Sequence, residues 1–228
     1  MPTALTNSGI EISHLPALRP SAEPVRRRPQ GAALGSTKLF AKGEEIFGEG
    51  DRAAFFYKVV SGAVRTSKLL TDGRRQIDAF HLSGDIFGIE VGGEHRFSAE
   101  ALGDATVIAY QRCNLDTLAS SDGAFSREVL AAMMRSLERA QNHMLLLGRK
   151  SAVERIATFL LDLAARISED GHVDLPMSRI DIADHLGLTI ETVSRSLTQL
   201  EREGVIEVPA HRRLIVLSNR AALQRLDA

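Results

Sequence analysis

Apolar side chains along this chain change their period twice. From Thr37 to about Leu118 they fall in short runs, "FFYKVV", "AVRTSKLL", "RRQIDAF" and "ATVIAY", punctuated by Gly50, Gly62, Gly73 and Gly84 at spacings of 11 or 12. Runs of this length between turn residues predict the short strands of a β-roll or small barrel, with a β-sandwich as the alternative. "TDG" at Thr71 to Gly73 predicts a tight hairpin, with Asp-Gly supplying positive φ angles. Beyond residue 120 the period becomes helical. From Ser126 to Leu147, the residues Leu130, Met133, Leu137, Ala140, Met144 and Leu147 alternate spacings of three and four, with Gly148 as the expected stop. That is an a/d seam. Met134 and Leu145 lie beside it, so the apolar surface is wide enough for the roll on one side and a partner helix on the other. "SAVERIATFLLDLAARI" follows as a second amphipathic helix, with Ile156, Phe159, Leu160, Leu163 and Ile167 in one stripe.

The pattern then tightens into two short helices. Ser178 to Asp181 fits the capping box that opens a helix. Ile182, Ala183 and Leu186 form its inner face, and Gly187 ends it in the left-handed conformation. Thr189 can cap the next helix, whose inner side is Val193, Leu197 and Leu200. Ala183 and Gly187 let the two helices cross closely, as in a helix-turn-helix. Ser196 stands where an apolar residue commonly packs, so either Leu197 carries more of that contact or Ser196 faces a rim. "VIEV" and "RLIVL" then predict a hairpin around "PAHRR", the wing of a winged helix-turn-helix. On the outer side of the second helix Glu191 can accept from a cytosine amino group and Arg195 can donate two hydrogen bonds to a guanine.

Composition narrows the alternatives. A hydrophobic fraction of 44% and a charged fraction of 25% are ordinary for a globular chain, and a net charge of −1 leaves nucleic-acid binding to a local patch. Cys113 is the single cysteine, which excludes an internal disulfide and fits a reducing compartment. No apolar run approaches the ~18 residues of a membrane span, and the amino terminus lacks the pattern of a signal peptide, so the expected location is the cytoplasm, with no membrane partner. Five of the seven prolines precede residue 36, where apolar residues are sparse. That segment reads as a solvated tail, its basic run Arg26–Arg28 being the one feature suited to a contact with DNA or protein. No metalloprotease, P-loop or catalytic-triad pattern is present, and an enzyme is not expected.

"DGRRQIDAFHLSGDIFG" and "DIADHLGLTIETVSRSLTQLEREGVIEV" together resemble the CRP/FNR superfamily of bacterial transcription regulators, and within it the FixK type. The resemblance spans about Thr37 to Leu217. It implies an α+β chain: a flexible tail (1–35), a β-roll like a cyclic-nucleotide-binding domain (36–119), a dimerisation helix (120–148) and a winged helix-turn-helix (149–228). It implies a homodimer on double-stranded DNA, acting mainly as an activator with RNA polymerase, in low-oxygen respiration or nitrogen fixation. The dimer interface would be the seam from Leu130 to Leu147. The E-x-x-S-R arrangement, here Glu191, Ser194 and Arg195, implies TTGAT half-sites. Ile190 stands where CRP-type readers carry arginine and suits a thymine methyl. Ser178, Arg179, Thr189, Thr192, Arg212 and Arg213 are expected along the DNA backbone.

The same resemblance locates a nucleotide site that this chain has lost. Ile89 replaces the ribose-binding glutamate, Phe97 and Ser98 stand for the Arg-Ser pair that would hold the phosphate, and Ala140 replaces a threonine. Glu90 and Arg96 lie one residue off. A cubane cluster needs about four thiolates, which Cys113 alone cannot supply. His81 and His95 are conceivable haem ligands but read better as packed histidines. No cofactor and no metal are therefore expected. The alternative is a regulator whose roll binds haem or another small molecule.

Overall fold

The computed structural model describes residues 35–112, 123–167, 171–209 and 213–227. Most of the tail, with Arg26–Arg28, and also Cys113 and Arg212, lies outside these residues. Eight strands come first: β1 Ser36–Phe40, β2 Glu45–Phe47, β3 Phe55–Ser61, β4 Val64–Leu69, β5 Arg75–His81, β6 Ile86–Phe87, β7 Ser98–Ala101 and β8 Ala105–Gln111. They form two four-stranded antiparallel sheets, ordered β1-β8-β3-β6 and β2-β7-β4-β5. Alternation explains the packing. Tyr57, Val59, Val107 and Ala109 of one sheet meet Phe47, Val64, Ala99 and Ala101 of the other in one buried cluster.

The four apolar runs become β3, β4, β5 and β8. The other four strands carry little periodic signal: β1 is mostly exposed and β6 has two residues. The β4–β5 turn differs from the expected tight form. Gly73 N–H donates to the Leu70 carbonyl at 2.9 Å and Leu70 N–H to Arg74 at 2.8 Å, which closes a three-residue loop. Gly73 takes φ of 85°, the left-handed step such a loop needs.

Helix α1 spans Ala124–Arg149 and α2 spans Ala152–Ile167. Gly148 does not end α1. The helix runs through it and stops at Lys150, which turns extended with φ −89° and ψ 143°, so no left-handed residue is required. Arg155 takes the freed carbonyls, donating to Leu147 and Lys150 at 2.9 Å and to Leu186 at 2.9 Å. One guanidinium thus closes the ends of two helices, a role for which arginine's fixed fork of donors is suited. Ile156, Phe159, Leu160 and Leu163 are buried as the stripe predicts, and Ile167 is half-buried.

The remaining elements are β9 His172–Asp174, α3 Arg179–Leu186, α4 Ile190–Arg202, β10 Leu214–Val216 and α5 Arg220–Asp227. The wing differs in its pairing. β10 makes its ladder with β9, and "VIEV" contributes one bridge, Glu207 to Val216, with both N–H···O bonds at 2.9 Å. The segment before α3 therefore supplies the strand that pairs with β10. α5 was not visible in the pattern either. It ties back through Lys150, whose ammonium donates to Asp227 at 2.6 Å and to Thr158 at 3.0 Å.

From Gly35 onward the described residues hold together as one unit. Ala63, Ile77, Phe80, Leu82 and Leu102 of the roll share a cluster with Leu146, Ile156, Leu160, Ile182, Leu186 and Val193. The core thus crosses the expected boundaries near 120 and 149. Polar contacts reinforce the junction. His185 Nδ1 lies 3.1 Å from the Ile77 carbonyl and its ring stacks on His143 with centroids 4.2 Å apart. Arg166 donates to the Phe80 carbonyl at 2.9 Å and pairs with Asp85 at 2.5 Å. Burial, with the nearby charge of His143, pushes His185 down to about 3. Burial likewise pushes His81 down to about 4 and lowers His143.

Candidate nucleic-acid interface

The turn between α3 and α4 is built as the sequence predicts. The Ser178 hydroxyl accepts from Asp181 N–H at 3.1 Å, while the Asp181 carboxylate accepts from Ser178 N–H at 2.9 Å and from its hydroxyl at 2.7 Å. Gly187 adopts φ 63° and ψ 39°, and Leu188 N–H closes onto the Ala183 carbonyl at 3.0 Å. Thr189 then caps α4 by accepting from Thr192 N–H at 3.2 Å.

Burial splits α4 into two faces. Val193, Ser196, Leu197 and Leu200 are buried. Ile190, Glu191, Ser194 and Arg195 are exposed together on the other side. The expected base-reading set is therefore brought onto one face at the start of a rigid helix. Its Glu191 carboxyl is held below the usual carboxylate range by its own backbone N–H and the Thr189 hydroxyl, with a smaller contribution from the charge of Arg195. Ser196 corrects one expectation. It lies inside at 4% exposure, not at a rim, and Leu197 beside it is buried at 3%. A hydroxyl is small enough to be covered there without opening the turn.

Among the expected backbone contacts, Ser178, Thr189 and Arg213 are exposed, and Arg179 and Thr192 are half-buried. Ser178 and Arg213 line a cavity of about 270 Å³ between α3 and the roll, together with Lys42, Arg65, Arg75, Glu100 and Asp181. Here the structure shows what the sequence did not. The Asp181 carboxylate, 4% exposed, accepts from Arg65 of β4 at 2.6 Å and from Arg75 of β5 at 2.7 Å. Arg65 also holds Glu100 with two bonds of 2.8 Å, and Arg75 holds Asp184 at 2.8 Å. Burial pushes the Asp181 carboxyl up, but the Ser178 bonds and the two guanidinium charges outweigh it and keep the group below its ordinary range. Over a hundred residues separate each arginine from Asp181 along the chain. No local pattern signals such a pairing.

The roll holds a second cavity, about 240 Å³, at the place where the family resemblance locates a nucleotide site. Its walls include Phe47, Phe87, Ile89, Phe97 and Met133. Glu90 and Arg96 reach it but pair with each other at 3.2 Å. Thr66 and Ser136 also line it, whereas the Ser98 hydroxyl lies outside this lining and accepts from Glu49 N–H at 2.9 Å. His81 Nε2 lies 3.1 Å from the Thr66 hydroxyl, and His95 stacks on Phe47 with centroids 3.6 Å apart. Both histidines are buried packing residues.

The stripe expected to form the dimer seam divides. Leu130, Met133, Leu137 and Met144 are 44–70% exposed, and Ala140 is exposed with them. Leu147 is half-buried and packs against the core of its own chain, so the free stripe ends at Met144.

Comparison with known proteins agrees with this geometry. Residues 154–226 match the Crp-like helix-turn-helix domain and residues 37–122 the cyclic nucleotide-binding domain. The chain is 52% identical over 202 residues to the nitrogen fixation regulation protein FixK of Azorhizobium caulinodans, covering 86% of this chain and 81% of that one. It is 44% identical over 182 residues to the FixK of Rhizobium meliloti, covering 80% and 83%. The solved structure of FixK2 from Bradyrhizobium japonicum superposes with a TM-score of 0.80 at 50% identity, covering 86% of this chain and 98% of that one.

Proposed function

Since the chain belongs to the CRP/FNR family of transcription regulators, on its FixK branch, we propose that it binds an inverted repeat of TTGAT as a homodimer. It is a DNA-binding regulator and not an enzyme, as its relatives are. The observation that carries the target is the exposed face of α4, where Glu191, Ser194 and Arg195 stand opposite the buried Val193, Leu197 and Leu200. Arg195 donates to the guanine of each half-site, Glu191 accepts from a cytosine amino group, and Ile190 covers a thymine methyl. Ser178, Arg179, Thr189, Thr192 and Arg213 touch phosphates and set the register. Self-association through the free stripe of α1 presents two such helices to successive major grooves, about 34 Å apart on one side of the duplex.

The protein acts in the cytoplasm, mainly as an activator that engages RNA polymerase. Its targets, like those of relatives named for nitrogen fixation, serve nitrogen fixation or low-oxygen respiration. The roll serves as scaffold without a nucleotide. Binding titrations on the palindrome and its single-base variants test the reading. Arg195→Ala should lower discrimination at the guanine by ~1–3 kcal/mol per half-site, roughly five- to 150-fold. Binding to unrelated duplex should weaken far less. If Arg195→Ala keeps full preference for the guanine, α4 has been given the wrong register or groove.

A further inference from the structure

The amino-terminal end of α3 carries a conflict. Its Ser178 is assigned to a phosphate, and free N–H groups at a helix start attract anions. Yet Asp181 puts a carboxylate in the first turn, Asp184 adds a second in the last turn on the side that Arg75 reaches, and Glu100 of β7 lines the same cavity as Asp181. Asp181 cannot simply be dispensed with, since it is the second half of the capping box. Asp181 so placed stabilises the helix, while all three acids repel the DNA backbone.

The roll resolves the conflict with charge. We propose that Arg65 and Arg75, which belong to the sensor-like roll and touch no base, are positioning residues for DNA binding. By neutralising Asp181, Asp184 and Glu100 they allow a phosphate to approach the start of α3. The geometry supports it: two guanidinium groups meet one carboxylate oxygen of Asp181 at 2.6 and 2.7 Å, each with a second acid in hand. Lys42 and Arg213 line the same cavity. With all four cations in place, positive charge exceeds the three carboxylates by one. Without Arg65 the two balance, and without both arginines the acids are in excess. Docking of α3 on β4 and β5 is thus part of the DNA-binding state and not a restraint upon it.

This inference rests on the DNA reading above, and the experiment separates the two. The full-length protein and its variants are titrated with a duplex carrying the TTGAT palindrome and with a scrambled duplex, at ~0.1 and ~0.4 M salt, and each variant's melting temperature is recorded. Arg65→Gln should weaken both duplexes alike by about tenfold at the lower salt, with the gap narrowing at the higher, because unpaired acid repels phosphate through a screened field. Arg65→Lys keeps the charge but loses the paired bonds to Glu100, so it should bind nearly as the parent does. If the arginine were needed only for shape, Lys would fail as Gln does. Asp181→Asn in the Arg65→Gln background should restore affinity. Unchanged or tighter binding by Arg65→Gln, equal losses in Gln and Lys, or no rescue by Asp181→Asn would each overturn the inference. Failure of the parent protein to prefer the palindrome would overturn the DNA reading instead.

Discussion

At Ile89 and Phe97 the roll cavity presents hydrocarbon, and its one usable cation, Arg96, is spent on Glu90. A cyclic phosphate entering there would shed its water and gain no charge-assisted bond in return. Cyclic AMP is therefore expected to leave DNA affinity unchanged, and calorimetry should detect no binding in the micromolar range. A micromolar heat of binding would show that this cavity rearranges around the nucleotide. Residues whose placement depends on neighbours within one turn were legible in the sequence: Ser178 with Asp181, Gly187, Thr189, and the outward-facing positions around Arg195. Residues whose role depends on distant partners were not. Nothing local to Arg65 or Arg75 announces a carboxylate on α3, and nothing in "SRSLTQ" says whether a serine at 196 is covered or at an edge.

For the elements, the period of apolar side chains proved most informative where it was longest. The α1 stripe was readable because six positions repeat over about five turns, and five of them stand exposed on the described chain. β1, β6 and β7 were unreadable because an exposed edge, a two-residue strand and a four-residue strand whose inward positions are both alanine leave too little apolar signal to count. The end of α1 was misplaced because Gly148 looked like a stop, whereas Arg155 supplies the capping bonds from outside the helix. The exposed stripe carries its own test. Replacing Leu137 and Met144 with Glu puts charge where dimer burial would cost several kcal/mol per unpaired carboxylate. Sedimentation of the double variant should show monomers at micromolar concentration. A persistent dimer would place the interface elsewhere.

At the scale of the whole molecule, four histidines with lowered proton affinity lie in the roll and at its junction with the helices: His81, His95, His143 and His185. An unfolded chain binds their protons near pH 6.5, while the folded one resists until about 4 for His81 and about 3 for His185. Below pH 6.5 the unfolded state thus holds more protons, so stability is full above that pH and falls as pH drops. Each such histidine contributes at most about 1.4 kcal/mol per pH unit. Urea midpoints at pH 7.5, 6.5 and 5.5 should decline in that order, and His185→Asn should flatten the decline. A constant midpoint would mean that the rings are reached by water. The same junction bears on how relatives can be recombined. The segment that matches the helix-turn-helix family begins at 154, but its core continues into Ile77, Phe80 and Leu82. A chimera spliced at the family boundary would set foreign side chains against Phe80 and Arg75, and would lose promoter recognition through misfit at a seam far from any base. The portable unit is the reading head together with the strand face it rests on, and in a lineage of such regulators those two surfaces are expected to change in step.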